Sequence, residues 1–363
     1  MILTAERRSL FHPLDTAGAP EQAVARLAAL GITTVEELRD HWAYGDRMLL
    51  TQYLGESPLG FFADGPGDSL AARGARRGGG RTTGGNADLM NLSRVPPLVR
   101  HARGVPLSAT EAAAVAEAPE ARPQAIARAA RTLPGVSLLS RFPAVRDQGK
   151  RGTCVAFAAV VYLEFHLRPA GAASGQRLAE QFVYWACKAR DGIPTVEGTY
   201  VRTAATVLDQ VGACLGKTWP YVPEPVGGNE GQGPPPAGAE TEARNHRWSR
   251  VTALSAHTPS RLRETLDAGR PVVLSVKTFP SWDYPATADT GEVLMPIPGE
   301  RSDGGHAVCL IGYELDASQA GGGVLLFRNS WGRTWAKKDS RVQPGYGTLF
   351  FEYVAKYGLE AFA

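Results

Sequence analysis

Residues 154–168 read Cys-Val-Ala-Phe-Ala-Ala-Val-Val-Tyr-Leu-Glu-Phe-His-Leu-Arg, and Pro169 follows. The stretch predicts one helix, almost wholly apolar, and a helix that is apolar all round belongs in an interior rather than on a surface. Pro169 stops it, because proline lacks an amide donor and its ring clashes with the preceding turn. Segments near 178–189 and 200–211 also read as helices. A Pro/Gly-rich run from Pro223 to Gly238 forms no regular element and reads as a surface loop. Beyond it the pattern changes to strands, at 250–255, 272–276, 307–313, 324–328 and 347–352. A helix over 259–268 interrupts them, with Thr258 as its cap, Pro259 at its first position and Gly269 after its end. Helices first and an antiparallel sheet second predict an α+β body.

Upstream, residues 20–54 are helical in pattern. Val24, Leu27 and Leu30 share a face, Gly31 stands where a C-terminal cap belongs, and Thr34 with Glu37 makes a capping box ahead of Val35, Leu38 and Trp42. Asp46 caps a third short helix. The run from Leu27 to Leu38 loosely resembles helix-hairpin-helix modules, but nucleic acid is not the expected partner; packing, or a protein partner for the module, is. Periodicity then fails, and Arg73 to Gly85 is Gly-rich enough for a flexible linker. Residues 108–131 are Ala-rich at helical spacing. The expected division is a small helical module over 1–57, a linker with an Ala-rich helical segment over 58–132, and the α+β body over 133–363. The helical part of that body covers about 133–222 and its sheet part about 247–363.

A length of 363 residues suits two or three such units. Hydrophobic residues at 44 % and charged residues at 21 % are ordinary globular values, so a large core can form. A net charge of +3 is too small to argue for a nucleic-acid or membrane partner. Four cysteines do not make a disulfide framework; Cys187 and Cys214 are the pair that could join, against the plainer reading of buried free thiols. With no apolar run of signal-peptide or membrane-spanning length, a soluble, cytoplasmic protein is expected.

Chemistry concentrates in three places. Asp147-Gln-Gly-Lys-Arg-Gly-Thr-Cys154 sets a thiol at the first turn of the apolar helix, behind glycines that let another backbone approach. A helix N-terminus carries partial positive charge and unpaired amides, which favour a thiolate and can donate to an oxyanion; Gln148 offers a side-chain amide nearby. Gly304-Gly-His306-Ala-Val begins a strand with His. Arg328-Asn329-Ser-Trp331-Gly ends another with Asn and an indole. Cys, His and Asn are the parts of a thiolate nucleophile, a proton carrier and an amide that fixes the imidazole tautomer.

Together these segments resemble the papain-like cysteine peptidases, in the order Gln, Cys, His, Asn and over roughly residues 133–363, as a bacterial-type member with an unusual N-terminal extension. The resemblance implies a two-subdomain body, helical and sheet. It gives Gln148 and the Cys154 amide to the oxyanion hole, Cys154 to the nucleophile, His306 to general base and acid, and Asn329 to the orienter. Trp331 covers the Asn329–His306 contact. Gly198 and Thr199 fall where the family holds substrate backbone, and Gly305 removes a side chain from the pocket wall. No cofactor and no metal is implied. Arg151 stands where secreted relatives have a disulfide cysteine, Val155 replaces an aromatic, and the accessory region lacks the usual propeptide pattern.

Two carboxylates on apolar helices need partners, Glu164 and Glu180. By the same resemblance Glu164 should pair with Arg328 and Glu180 with Arg146. The expected activity is hydrolysis of peptide bonds by a cysteine endopeptidase through a thioester on Cys154. The alternatives are an acyl-transferring ligase or transpeptidase, and a scaffold whose N-terminal module binds a partner. Residues 60–132 are expected to pack across or beside the cleft and limit access.

Overall fold

The computed structural model describes residues 12–61, 92, 95–119, 135–168, 176–338 and 340–363. The Gly/Arg-rich run 73–85, Pro169 and the Ala-rich segment beyond residue 119 lie outside them. Four short helices open the described chain: α1 (Leu14–Ala17), α2 (Glu21–Ala29), α3 (Val35–Tyr44) and α4 (Arg47–Leu54). The capping box of α3 is formed, with Thr34 Oγ1 accepting from the Glu37 amide at 3.3 Å and Glu37 Oε2 accepting from the Thr34 amide at 2.9 Å. Asp46 caps α4 through Oδ1, which takes the amides of Met48 and Leu49.

After α5 (Ala109–Ala113) and β1 (Val136–Ser137), the helical half comprises α6 (Cys154–Leu167), α7 (Glu180–Lys188), α8 (Val201–Gln210) and α9 (Ala239–Ala243). The sheet half follows as β2 (Ala253–Leu254), α10 (Pro259–Asp267), β3 (Val272–Thr278), α11 (Pro285–Thr290), β4 (Glu292–Val293), β5 (Gly304–Leu315), β6 (Gly323–Arg328), β7 (Tyr346–Phe350), α12 (Phe351–Tyr357) and β8 (Gly358–Phe362). Strand order is β2-β8-β3-β5-β6-β7-β4, with β1 on β5. The pairing is antiparallel except that β4 runs parallel to β7, so the sheet is mixed rather than purely antiparallel.

Three local readings give way to tertiary contacts. The strand expected over 347–352 stops at Phe350, and the chain turns into α12. The strand expected over 250–255 keeps only Ala253 and Leu254, held by β8. Thr258 caps nothing with its side chain, which bonds Ser255 Oγ instead. The terminal strand β8 has no strong alternation of its own; it forms because β2 and β3 leave a slot that it fills.

Helix α6 is buried along its length, from Cys154 to Phe165, with α7 and α8 on one side and Val273, Ala307 and Cys309 of β3 and β5 on the other. Each fully buried Val, Leu or Phe contributes about 1.5–3 kcal/mol, so α6 is anchored by its whole circumference. A second core lies on the other face of the sheet and includes Leu27, Leu30, Val35, Leu38, Leu50 and Leu54 of the N-terminal helices. Those helices therefore share a core with the sheet, and Leu30 C=O accepts the Met295 amide at 3.0 Å.

Candidate active site

Cys154 begins α6, where the sheet half meets the helical half, and His306 and Asn329 come from neighbouring strands β5 and β6. His306 Nε2 lies 2.8 Å from Asn329 Oδ1, which also accepts the Ser330 amide at 2.8 Å. An oxygen already accepting there requires Nε2 to carry the proton, which leaves the lone pair on Nδ1. That atom is buried without a hydrogen bond, and Cys154 Sγ instead accepts the Ala307 amide at 3.4 Å. The Trp331 ring lies over His306 at 4.5 Å between centroids, and Trp282 meets it edge-on at 5.4 Å. Water is thus kept from the His306–Asn329 bond.

Gln148 is fixed from both ends of its amide. Its Oε1 accepts from Ser330 Oγ at 2.6 Å, and its Nε2 donates to Arg151 C=O at 2.8 Å and Ala102 C=O at 3.2 Å. Tyr221 Oη donates to Gln148 C=O and also meets Thr153 Oγ1, both at 2.7 Å, which ties the two sides of the nucleophile loop together.

Arg146 takes both buried carboxylates. Its Nη1 reaches Glu180 Oε1 at 2.5 Å and its Nη2 reaches Glu164 Oε1 and Oε2 at 2.7 and 2.9 Å. The expected Glu164–Arg328 pair is not made: Arg328 Nη2 donates to Ala144 C=O at 2.6 Å, and burial lowers its pKa. One guanidinium has donors enough for two carboxylates, and Arg146 sits between α6 and α7, whereas Arg328 is turned toward the 144 backbone.

The cleft above Cys154 is filled by the chain itself. Residues 95–119 form a strap, without regular structure up to residue 108 and carrying the short helix α5 beyond it. His101 stacks on Trp331 at 4.2 Å between centroids, and its Nδ1 lies 2.9 Å from Asp283 Oδ1. Arg103 Nη2 donates to Asp283 Oδ2 at 2.8 Å. Gly104 and Val105 donate their amides to Gly305 C=O at 3.2 and 3.0 Å, and Gly104 C=O accepts the Thr199 amide at 2.9 Å. Farther on, Ala116 exchanges backbone bonds with Glu300 and Gly299. Gly104 lies so close to Cys154 that a Cβ there would meet Gly152 O at 2.1 Å and Cys154 Sγ at 2.8 Å.

With the strap seated, this centre is electrostatically quiet. Cys154 and His306 have no exposed surface. Burial pushes the thiol up to about 11, against the Ala307 N–H that would favour thiolate. Burial likewise drives the imidazole down to about 3, helped by the Arg103 guanidinium. Both groups are therefore neutral near pH 7 while the strap is seated.

Of the residues read from sequence, Gln148, Cys154, His306, Asn329 and Trp331 converge on one point, and Gly198, Thr199 and Gly305 line the groove in which the strap lies. The groove also uses residues that pattern reading passed over: Asp283, Tyr184, Lys188, Tyr221 and the strap residues His101, Arg103 and Gly104. An isolated Asp or Tyr in a loop carries no periodic signal, and Lys188 reads as an ordinary cation in the last turn of a helix. Cys154, Cys187, Cys214 and Cys309 are all free and buried. Among the described residues no group of His, Cys, Asp and Glu is arranged to hold a metal.

Comparison with known proteins points the same way. A protein of Acanthamoeba polyphaga mimivirus, described as an uncharacterized peptidase C1-like protein, is 26 % identical over 224 residues. The match covers 59 % of this chain and 66 % of the viral protein's own length. Xylellain, a cysteine protease from Xylella fastidiosa, has a similar fold, with a TM-score of 0.54 at 20 % identity over 73 % of this chain and 98 % of that one. A digestive procathepsin L 3 from Tenebrio molitor overlaps 71 % of this chain and 75 % of its own, at 17 % identity and a TM-score of 0.46. The sequence profile of the papain family cysteine protease matches residues 139–343, more than half of the chain. That span runs from ahead of Gln148 to beyond Trp331, and on this ground the chain belongs to the papain family of cysteine proteases.

Proposed function

We propose that the protein is a cysteine endopeptidase held latent by its own residues 95–119. The observation that carries the reading is the course of the strap. It crosses Cys154 as an extended chain, from Trp331 on one side to Thr199 and Gly305 on the other. A groove that holds backbone on both sides of the nucleophile suits cleavage within a chain. The strap's direction argues that it is not itself a substrate. Residues 101–103 lie on the Trp331 side, where a leaving group would depart, and Gly104 and Val105 lie on the Thr199 side, where the acyl part would sit. A substrate would run the other way.

With the strap displaced, water returns to the cleft, and the first-turn amides of α6 and the imidazole favour the thiolate. His306 Nδ1 takes the thiol proton. Sγ attacks the peptide carbonyl, and Gln148 Nε2, freed from Ala102 C=O, donates to the oxyanion together with the Cys154 amide. The imidazolium protonates the leaving amine, and water resolves the thioester by the same path. No observation favours an amine acceptor over water, or a scaffold without chemistry. Substrates are peptides or proteins. The N-terminal helices serve packing, because they fill the sheet's outer core. Arg151 in place of a disulfide cysteine supports work in a reducing, cytoplasmic compartment. No helix among the described residues is long and apolar enough to cross a membrane.

The test is incubation of the full-length Gly104→Ala variant, in which a methyl group beside Cys154 Sγ unseats the strap, with an unbiased peptide library and with an epoxysuccinyl inhibitor. Internal cleavage, covalent labelling on Cys154, and loss of both in Cys154→Ala with an unchanged melting curve are expected. Cleavage that persists in Cys154→Ala would remove the assignment.

A further inference from the structure

The groove amide that holds the strap beside Cys154 is that of Thr199, which donates to Gly104 C=O and shares a peptide unit with the Gly198 carbonyl. In a trans peptide the C=O and the following N–H point in opposite directions. Whatever holds Gly198 C=O inward therefore aims Thr199 N–H outward. That partner is Lys188 Nζ, at 2.8 Å. The ammonium is buried, with 3 % of its side chain exposed, and it also donates to Ile193 C=O at 2.8 Å and Val196 C=O at 2.7 Å. Its charge is met by Asp191 Oδ2 at 2.8 Å, a carboxylate with no exposed surface. An isolated ammonium here would be far too costly, so the cage of one carboxylate and three carbonyls is what lets a cation sit inside the loop 189–199.

The other end of Gly198 is held as well. Its amide donates to Tyr184 Oη at 3.0 Å, and that hydroxyl in turn donates a hydrogen bond to Glu230 Oε1 at 2.5 Å. Lys188 and Tyr184 lie on the same helix, α7, one turn apart. Gly198 has φ +89°, which glycine adopts without strain, so the two contacts select this conformation from the several open to it. The loop is finally joined to the nucleophile loop by Glu197 Oε1, which accepts the Gly152 amide at 2.5 Å.

We propose that Lys188 and Tyr184 are positioning residues for peptide substrates: from one helix they fix both ends of Gly198 and so aim the Thr199 N–H at the substrate backbone. Lys188 does more than hold. An ammonium hydrogen-bonded to the carbonyl polarises the peptide unit and strengthens its N–H as a donor. No covalent link is involved, so the arrangement is indifferent to thiol reductants, although a disulfide cysteine is missing at Arg151. The inference rests on the peptidase reading, and it concerns substrates that present a peptide backbone.

The experiment compares two substrates on the full chain: a peptide amide of at least four residues, and p-nitrophenyl acetate, which can acylate Cys154 without meeting the Thr199 donor. Both need the strap displaced, so the closed fraction cancels in the ratio of their kcat/KM values. In Tyr184→Phe and in Lys188→Met that ratio should fall at least tenfold, mainly through KM for the peptide. Lys188→Met strands Asp191 and is the variant at risk of misfolding. The pair Lys188→Met with Asp191→Asn removes both charges and is measured beside it, with Tyr184→Phe, which loses a single oxygen, as the mildest case. A merely structural role would depress both substrates alike and leave the ratio within twofold, and that result overturns the proposal. A parent chain that takes the ester but cuts no peptide overturns the peptidase reading, and the proposal with it.

Discussion

A single guanidinium decides how the helical half meets the loop that leads into Cys154. Arg146 stands two residues before Gln148 and binds carboxylates on both α6 and α7, while its C=O accepts the Gly332 amide just beyond Trp331. Glu164 and Glu180 are each under a tenth exposed, so removing the cation leaves two carboxylates without their charge partner. Breaking a buried pair from one side costs about 3–5 kcal/mol, against about 0–1 kcal/mol for a surface pair. Arg146→Met should therefore lower stability by several kcal/mol in a denaturant titration. Arg328→Met, which loses only a bond to a carbonyl and relieves a desolvated cation, should cost markedly less. Equal losses would show that Arg146 is not the shared partner. Pairing Glu164 with Arg328 rests on family pattern alone; which guanidinium reaches a carboxylate depends on side-chain direction, and nothing in the spacing of residues 146, 164 and 328 encodes that.

At the scale of elements, the strap is held by few and separable contacts. Its ends are tied by Tyr44 Oη to Pro96 C=O and by Ala116 to the 299–301 backbone, and its middle depends on the absence of a side chain at Gly104. A methyl group there would run into Gly152 O and Cys154 Sγ, both part of rigid backbone or the first turn of α6, so the strap and not the body has to yield. Gly104→Ala in the full chain should raise the rate of Cys154 alkylation by iodoacetamide at least tenfold, with the melting temperature changed by no more than a few degrees. Parent-like alkylation would mean that the strap does not control access. Deleting everything before residue 132 is a poorer test, because it strips Leu27, Leu30, Leu38 and Leu50 from the sheet's core along with the strap.

The molecule as a whole carries buried acids where its N-terminal helices and strap meet the sheet. Burial raises Glu300 to about 8, Glu37 to about 7 and Asp40 to about 6. In each case the folded state holds its proton more tightly than the unfolded chain, for which the ordinary carboxyl value applies. The stabilisation is therefore complete below that ordinary value and is lost as pH rises through the folded value. Glu300 Oε1 is buried without a hydrogen bond and Oε2 accepts the Ile297 amide, so glutamine fits the site as the protonated acid does. Glu300→Gln should match the parent near pH 5 and exceed it near pH 9 by on the order of a few kcal/mol, since each tenfold change in proton affinity between the two states is worth about 1.4 kcal/mol. Melting curves at the two values check this, and a difference independent of pH would sink it. Since Glu300 also pairs its C=O with Ala116 of the strap, the same titration bears on how firmly the strap is seated.

What sequence determined by itself is local: the all-apolar α6 with Cys154 at its first turn, the capping box at Thr34, the strand that carries His306 near its start and the strand that Asn329 directly follows. Each depends on residues within a turn or a strand of one another, where periodicity and turn chemistry act directly, and the proposed catalytic trio was legible because it sits near such ends. Tertiary structure alone decided the rest. The strap contacts join residues about 180 positions apart, Arg103 with Asp283 being one, and no pattern within either segment calls for the other. The buried cage of Lys188, the sharing of Arg146, the insertion of β8 and the parallel β4–β7 pair likewise arise from which surfaces are left to be covered once the cores have packed. Hydrogen-bond donors and charges are satisfied last and by whatever lies nearest, so their partners are set by the fold and not by the order of the chain.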